Sequence, residues 1–253
     1  MDPTRRKFVS KFGLIIAGAS AGSVWEEPVG WAATPAQQHE EHSKLPMTTH
    51  ASGNSEDAHA ASEQVWAKLL EGNQRFVAGK PQVRDLIARR TAVLSGQQPQ
   101  VVVLGCSDSR ISPTEIFDQG LGDIFEVRTV GNVVDVVGVG SIEYALVHLP
   151  VRVLVILGHE RCGIVKAAAS GDKMPTANLQ AAVDKISPAL AKIQGDRKSP
   201  QFLRKAEAAN VIQCAADLLA NSPIILRETA ANNVQIVKAL YSLTTGKVTR
   251  IAD

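Results

Sequence analysis

Two predominantly apolar runs, each stopped by a glycine and then a side chain able to bind metal, constrain this chain more than any other feature. The first is Val101-Val102-Val103-Leu104-Gly105, followed by Cys106; the second runs from Val151 to Leu157 and is followed by Gly158-His159. Strands this apolar are buried on both faces, which happens in parallel sheets sandwiched between helices. The rest of the pattern agrees. Ser62 is placed to cap a helix whose Val65, Trp66, Leu69, Leu70 and Phe76 share one face and which ends near Gly79. Ser112-Pro113-Thr114-Glu115 reads as a capping box with proline at the first helical position. Ile124 to Val127 reads as a strand, and Ile142 to Leu149 as a helix after a glycine-rich loop. Alanine-rich helical patterns cover roughly 176–194 and 202–221, before Ile236-Val237 and a last short strand near Val248. Strands alternating with helices predict an α/β fold, a mostly parallel central sheet flanked by helices.

In such sheets ligands bind beyond the carboxyl ends of the strands. Both apolar runs deliver chemistry there: Gly105-Cys106-Ser107-Asp108-Ser109-Arg110 after the first, Gly158-His159-Glu160-Arg161-Cys162-Gly163 after the second. If the two strands are neighbours, Cys106, His159 and Cys162 can surround one ion. Two thiolates and an imidazole form a catalytic zinc set that leaves the fourth position open. A lone buried cysteine is more often a small apolar residue, and Cys214, inside an alanine-rich helical pattern, takes that reading. Three cysteines cannot all pair and do not suggest a disulfide scaffold.

The first sixty residues are of a different kind. Thr-Arg-Arg-Lys-Phe-Val-Ser-Lys at 4–11 precedes an uncharged stretch from Phe12 to Trp25, with small residues near Gly30-Trp31-Ala32-Ala33. Basic region, short apolar region and small residues follow the order of an export signal, and Arg5-Arg6 resembles the twin-arginine type. The expectation is a cleaved signal over 1–33, engagement of the export machinery, and a periplasmic or secreted protein. The apolar run is too short to span a bilayer comfortably, which argues against a stable membrane anchor. Residues 34–60, rich in His, Ser, Thr, Glu and Ala and including His39, His42, His50 and His59, read as a solvated polar linker. Residues 61–253 remain as one domain with room for a sizeable core. Net charge is +2 with dispersed basic residues, so no nucleic-acid footprint is present.

Cys-x-Asp-x-Arg followed some fifty residues later by His-x-x-Cys-Gly resembles the signature of the β-class carbonic anhydrases. The resemblance extends from about Ser62 to the C-terminus, through Gly96-Gln97-Gln98-Pro99, Arg128-Thr129-Val130-Gly131-Asn132 and Tyr241-Ser242-Leu243-Thr244-Thr245-Gly246. It implies one Zn2+ per chain on Cys106, His159 and Cys162, and reversible hydration of carbon dioxide to bicarbonate and a proton. Zinc lowers the pKa of a bound water from about 16 towards 7 and so supplies hydroxide. Two thiolates nearly cancel the ion's charge, so alkaline pH is expected to help. Asp108 is implied to accept a hydrogen bond from that hydroxide, Arg110 to hold Asp108 off the metal, and Asp108 to ligate zinc only in a closed state. Gln97 matches the family's substrate-pocket glutamine. Gly131 and Asn132 are read as shaping a tight loop. A homodimer or tetramer is implied, with the active-site cleft at the dimer interface. Some members hold inhibitory bicarbonate on a tryptophan, an arginine and a tyrosine; Arg128 and Tyr241 match the last two, but the tryptophan position is Val103, so no strong bicarbonate-linked cooperativity is expected. Carbonyl sulfide or carbon disulfide hydrolysis on the same scaffold, and a non-enzymatic zinc-binding or carbon-dioxide-sensing role, are the alternatives, because a fold does not determine its substrate.

Overall fold

The computed structural model describes residues 55–252; the signal reading over 1–33 and the linker reading up to residue 54 lie outside the described residues. In chain order the elements are α1 (Ser55–Val77), α2 (Leu86–Ala92), β1 (Val101–Cys106), α3 (Pro113–Ile116), β2 (Ile124–Thr129), a 3-10 turn (Val130–Asn132), α4 (Val136–His148), β3 (Val153–His159), α5 (Gly163–Ser170), α6 (Ala177–Leu190), α7 (Pro200–Asn221), α8 (Pro223–Ala230), β4 (Gln235–Tyr241) and β5 (Val248–Arg250).

The strands form one sheet in the order β2-β1-β3-β4-β5, parallel except for the β4–β5 pair. Every residue of β1 and β3 is buried, as their apolar runs require. Val102, Leu104, Leu154 and Ile156 face a core shared with α4, α7 and α8. Val101, Val103, Val153, Val155 and Leu157 face the opposite core, closed by Val65, Trp66 and Leu69 of α1. Burying one such leucine or valine contributes roughly 1.5–3 kcal/mol. Trp66 meets Phe117 edge-on, with ring centroids 6.2 Å apart. A third cluster gathers α5, α6 and the start of α7 around Cys106 and Cys162.

The topology places the site. From β1 the chain turns to β2 on one side of it, whereas from β3 it turns to β4 on the other side. The crevice beyond the carboxyl ends of β1 and β3 is therefore the switch point at which open α/β sheets bind ligands. Side-chain caps set the helices around it: Asp135 accepts from Gly138 N at 2.6 Å, Thr176 from Leu179 N, and Ser199 from Phe202 N just ahead of Pro200.

Several helix boundaries differ from the sequence expectation. α1 begins at Ser55, so Ser62 is not its cap; buried inside the helix, its hydroxyl donates to Ala58 O and Arg152 O. Ser112 makes no side-chain cap, because the free N–H of Thr114 goes to the Glu126 carboxylate on β2 instead, and α3 ends after four residues. α4 begins at Val136, six residues before Ile142. The Asp135 cap starts the helix through glycines that read as loop. Among the described residues, no single helix is long and apolar enough to cross a membrane.

Candidate active site

Cys106 is the last residue of β1 and His159 the last of β3, on adjacent paired strands. Cys162 follows at the N-cap of α5. The ligand atoms of the three lie within 4.8 Å of one another, and all three residues are at least 97% buried. His159 Nδ1 lies 2.8 Å from Glu160 O, an acceptor that only a protonated Nδ1 can serve, which leaves Nε2 with its lone pair. That Nε2 is buried and has no hydrogen-bond partner. A buried, unpartnered imidazole nitrogen beside two cysteines fits zinc, whose coordination supplies the missing partner.

The cluster favours thiolate. Cys106 Sγ accepts from Asp108 N at 3.4 Å and from Gly131 N at 3.2 Å. The neighbouring Cys162 thiol, then His159 and the two backbone amides, hold the Cys106 thiol far below its ordinary pKa against the opposing effect of burial. Cys162, beside that thiolate and buried, is pushed up until a cation arrives to balance both. Burial alone would lower the His159 pKa, but the Cys106 thiolate raises it.

Asp108 and Arg110 form the pair expected of them. Arg110 Nε donates to Asp108 Oδ1 at 2.9 Å and Nη2 to Oδ2 at 2.6 Å, while the Arg110 backbone N–H also reaches Oδ1, at 3.0 Å. This two-pronged grip, above all the Arg110 side-chain bond, holds the Asp108 carboxyl well below the usual carboxylate range. Arg128 donates to Cys106 O at 3.1 Å and Asp108 O at 2.8 Å, bracing the same loop from β2. Its sequence neighbour Glu126 is occupied instead by the Thr114 backbone and hydroxyl. Val103 is buried in the core against α1, and Tyr241 packs near Phe76. Gln97 does not join the cluster within the chain: it is exposed in the loop ahead of β1, a strand of six residues whose far end carries Cys106. That strand alone separates them by roughly 16 Å.

Gly131 and Asn132 do shape a tight loop, with φ of 74° and 49°. A Cβ at Gly131 would stand 2.5 Å from Ile164 Cγ2, so only glycine fits. Gly158 is similarly confined: a Cβ there would meet Val211 Cγ2 of α7 at 2.4 Å. The sequence marks α7 as a helix over roughly 202–221 and Cys214 as a small apolar residue within it, but gives its polar residues no place at the site. Its Glu207, buried, accepts from Cys162 N at 3.3 Å, and burial raises its carboxyl pKa. Asn210 Nδ2 donates to Gly131 O at 2.8 Å, and Cys214 Sγ to Asn132 O at 3.1 Å. The available signal was two polar residues, Glu207 and Asn210, set within the buried stripe Phe202, Ala206, Val211, Ala215 and Leu218.

A carbonic anhydrase family model matches residues 101–248. Carbonic anhydrase 2 of Mycobacterium tuberculosis is 39% identical over 187 residues, covering 72% of this chain and 89% of the relative. The carbonic anhydrase of Mycolicibacterium smegmatis is also 39% identical, over 188 residues, 73% of this chain and 90% of its own length. Among solved structures, a tetrameric β-carbonic anhydrase of Sordaria macrospora matches with a TM-score of 0.57 at 24% identity, covering 79% of this chain and 98% of that one, a likeness of fold. With two cysteines and a histidine gathered at the sheet's switch point, the chain belongs to the β-class carbonic anhydrases, zinc lyases that reversibly hydrate carbon dioxide to bicarbonate and a proton.

Proposed function

We propose that this chain hydrates carbon dioxide at Cys106, His159 and Cys162, with Asp108 and Arg110 controlling the approach to that cluster. The observation that carries the reading is the buried His159 Nε2, without a partner, beside two cysteines. Bound zinc supplies a Lewis acid that makes water nucleophilic near neutral pH. Cys106 and Cys162 hold the ion as thiolates, and His159 is oriented by the Glu160 carbonyl. Asp108 stays ionised, because both its oxygens accept from Arg110, and Oδ2, which takes one bond where Oδ1 takes two, keeps a second acceptor direction for the reacting water. Arg110, by occupying that carboxylate, keeps it from becoming a fourth ligand. Gln97, at the other end of β1 from its own cluster, serves substrate in the site of a second copy of the chain, so the working unit is a homodimer or a tetramer made of two such dimers. The test is stopped-flow carbon dioxide hydration by the zinc-loaded full chain beside Cys106→Ser. Most zinc and activity disappear in the variant; one zinc per chain with full activity would remove Cys106 from the site.

Export through a twin-arginine route, ending in the periplasm or outside the cell, belongs to the same proposal and rests on Arg5-Arg6 ahead of a weakly hydrophobic run. Changing both arginines to lysine preserves the charge and removes the pair. The uncleaved precursor then stays in the cytoplasmic fraction; mature protein still found outside the cytoplasm would point to a Sec-type signal.

A further inference from the structure

Helix α7 presents three polar side chains to the metal loops from behind: Glu207, Asn210 and Cys214, at positions i, i+3 and i+7 on one buried face. Each is at least 94% buried in a helix whose other inward residues are apolar. Burying polar groups is costly unless each is satisfied, so this row needs a reason to be there. Its partners supply one. Glu207 accepts the Cys162 N–H. Asn210 donates to Gly131 O and Cys214 to Asn132 O. Those two loop residues hold left-handed backbone, and Asn132 does so without being glycine, a conformation that persists only when surrounding bonds determine it. Gly131 N–H is the donor aimed at Cys106 Sγ, 3.2 Å away.

We infer that Asn210 and Cys214 are positioning residues that lock the Val130–Asn132 turn so that the Gly131 N–H stays on the Cys106 thiolate, moderating the charge that this sulfur donates to the metal. The inference rests on Cys106 being a zinc ligand. An N–H donated to a thiolate withdraws electron density from it. Losing that bond leaves sulfur a stronger donor and a less defined ligand. Without Asn210, Gly131 O is a buried carbonyl lacking its side-chain donor, and the turn is free to rotate the Gly131 N–H away. Outer-shell partners of this kind typically change metal affinity by about 10–100-fold.

The experiment uses the full chain stripped of metal and reloaded with cobalt(II), whose sulfur-to-cobalt charge-transfer band reports thiolate donation directly. Cys106→Ser weakens that band if Cys106 is a ligand at all, which tests the underlying site separately. In Asn210→Leu, close in volume and without a donor, the band moves to lower energy and zinc dissociates about ten-fold more readily in a chelator competition. Cys214→Ala, a smaller perturbation, moves the band the same way by less. Leu218→Ala, a fully buried apolar residue on the same helix, lowers stability by opening a cavity and leaves the band in place. A cobalt band unmoved in Cys214→Ala and in any folded Asn210→Leu protein overturns the inference. So does a band that Leu218→Ala shifts as far as Asn210→Leu does.

Discussion

Two aspartates in this molecule, Asp108 and Asp118, are gripped by arginine forks and held below the ordinary carboxylate pKa, yet they are built for different tasks. Asp108 pairs with Arg110 two residues away, and the pair is open to solvent, with side chains 18% and 51% exposed. Asp118, only 2% exposed at its side chain, collects Arg75 from α1, Arg84 from the connection to α2, and the Gln82 N–H. Arg84 also donates to the Asp118 carbonyl. Asp118 adopts φ of 45°, a strained value for a non-glycine residue that several bonds together can sustain. Burial opposes its ionisation, and Arg84, Arg75 and the Gln82 amide more than reverse that. The same chemical pair thus fastens a long connection to the core in one place and restrains a carboxylate beside the metal cluster in the other. Burial and reach decide which. A local, solvated pair contributes little to stability and can be dedicated to chemistry. A buried one, drawing partners from 34 and 43 residues away, stabilises the fold and has no substrate to meet.

The contrast predicts opposite phenotypes. Arg110→Ala is expected to have the largest effect on activity, about 100-fold in the hydration rate, because Asp108 is released to displace water from the metal. Zinc content by elemental analysis and the melting temperature stay as in the parent. An active Arg110→Ala enzyme would mean that another group restrains Asp108. Asp118→Asn behaves in reverse. Stability falls by about 1–3 kcal/mol, since hydrogen bonds to charged groups are lost and two arginines are left short of an anion. The melting temperature drops by about 2–4 °C for each kcal/mol, while the hydration rate of the protein still folded is unchanged. A catalytic defect in Asp118→Asn larger than its loss of folded protein would break the distinction.

The smallest expected effect sharpens the comparison through pH. The folded pKa of Asp118 lies below its ordinary 3.8, so the stability it contributes is complete well above that value. It is lost progressively as pH falls below 3.8 towards the folded pKa. Denaturation midpoints measured across that acid range therefore decline less steeply in Asp118→Asn than in the parent. Equal slopes would show that Asp118 does not titrate with unfolding.

Much of this protein was legible before any coordinates. The apolar runs ending in Gly105-Cys106 and Gly158-His159 read as strands buried on both faces, because they are short, rich in β-branched residues and stopped by glycine, where a buried helix would run longer. Asp108-x-Arg110 was equally legible, since both partners lie two residues apart and need no knowledge of the fold to meet. Helix starts were less so: the true start of α1 at Ser55 and the Asp135 cap of α4 depend on which donors tertiary neighbours leave free, as Glu126 shows by taking the Thr114 N–H from Ser112.

Other features were decided by the tertiary structure alone. That β1 and β3 are adjacent, and so bring Cys106 to His159, follows from the strand order, which a one-dimensional pattern does not contain. The separation of Gln97 from its own cluster follows from the run of β1 between them. The support of the metal loops by Glu207, Asn210 and Cys214 comes from residues 45 to 82 positions away from the backbone groups they bind. Sequence specifies what is local or periodic, since those interactions repeat along the chain. Contacts between distant segments exist only after packing brings them together, and here they determine which glycine, which asparagine and which aspartate matter.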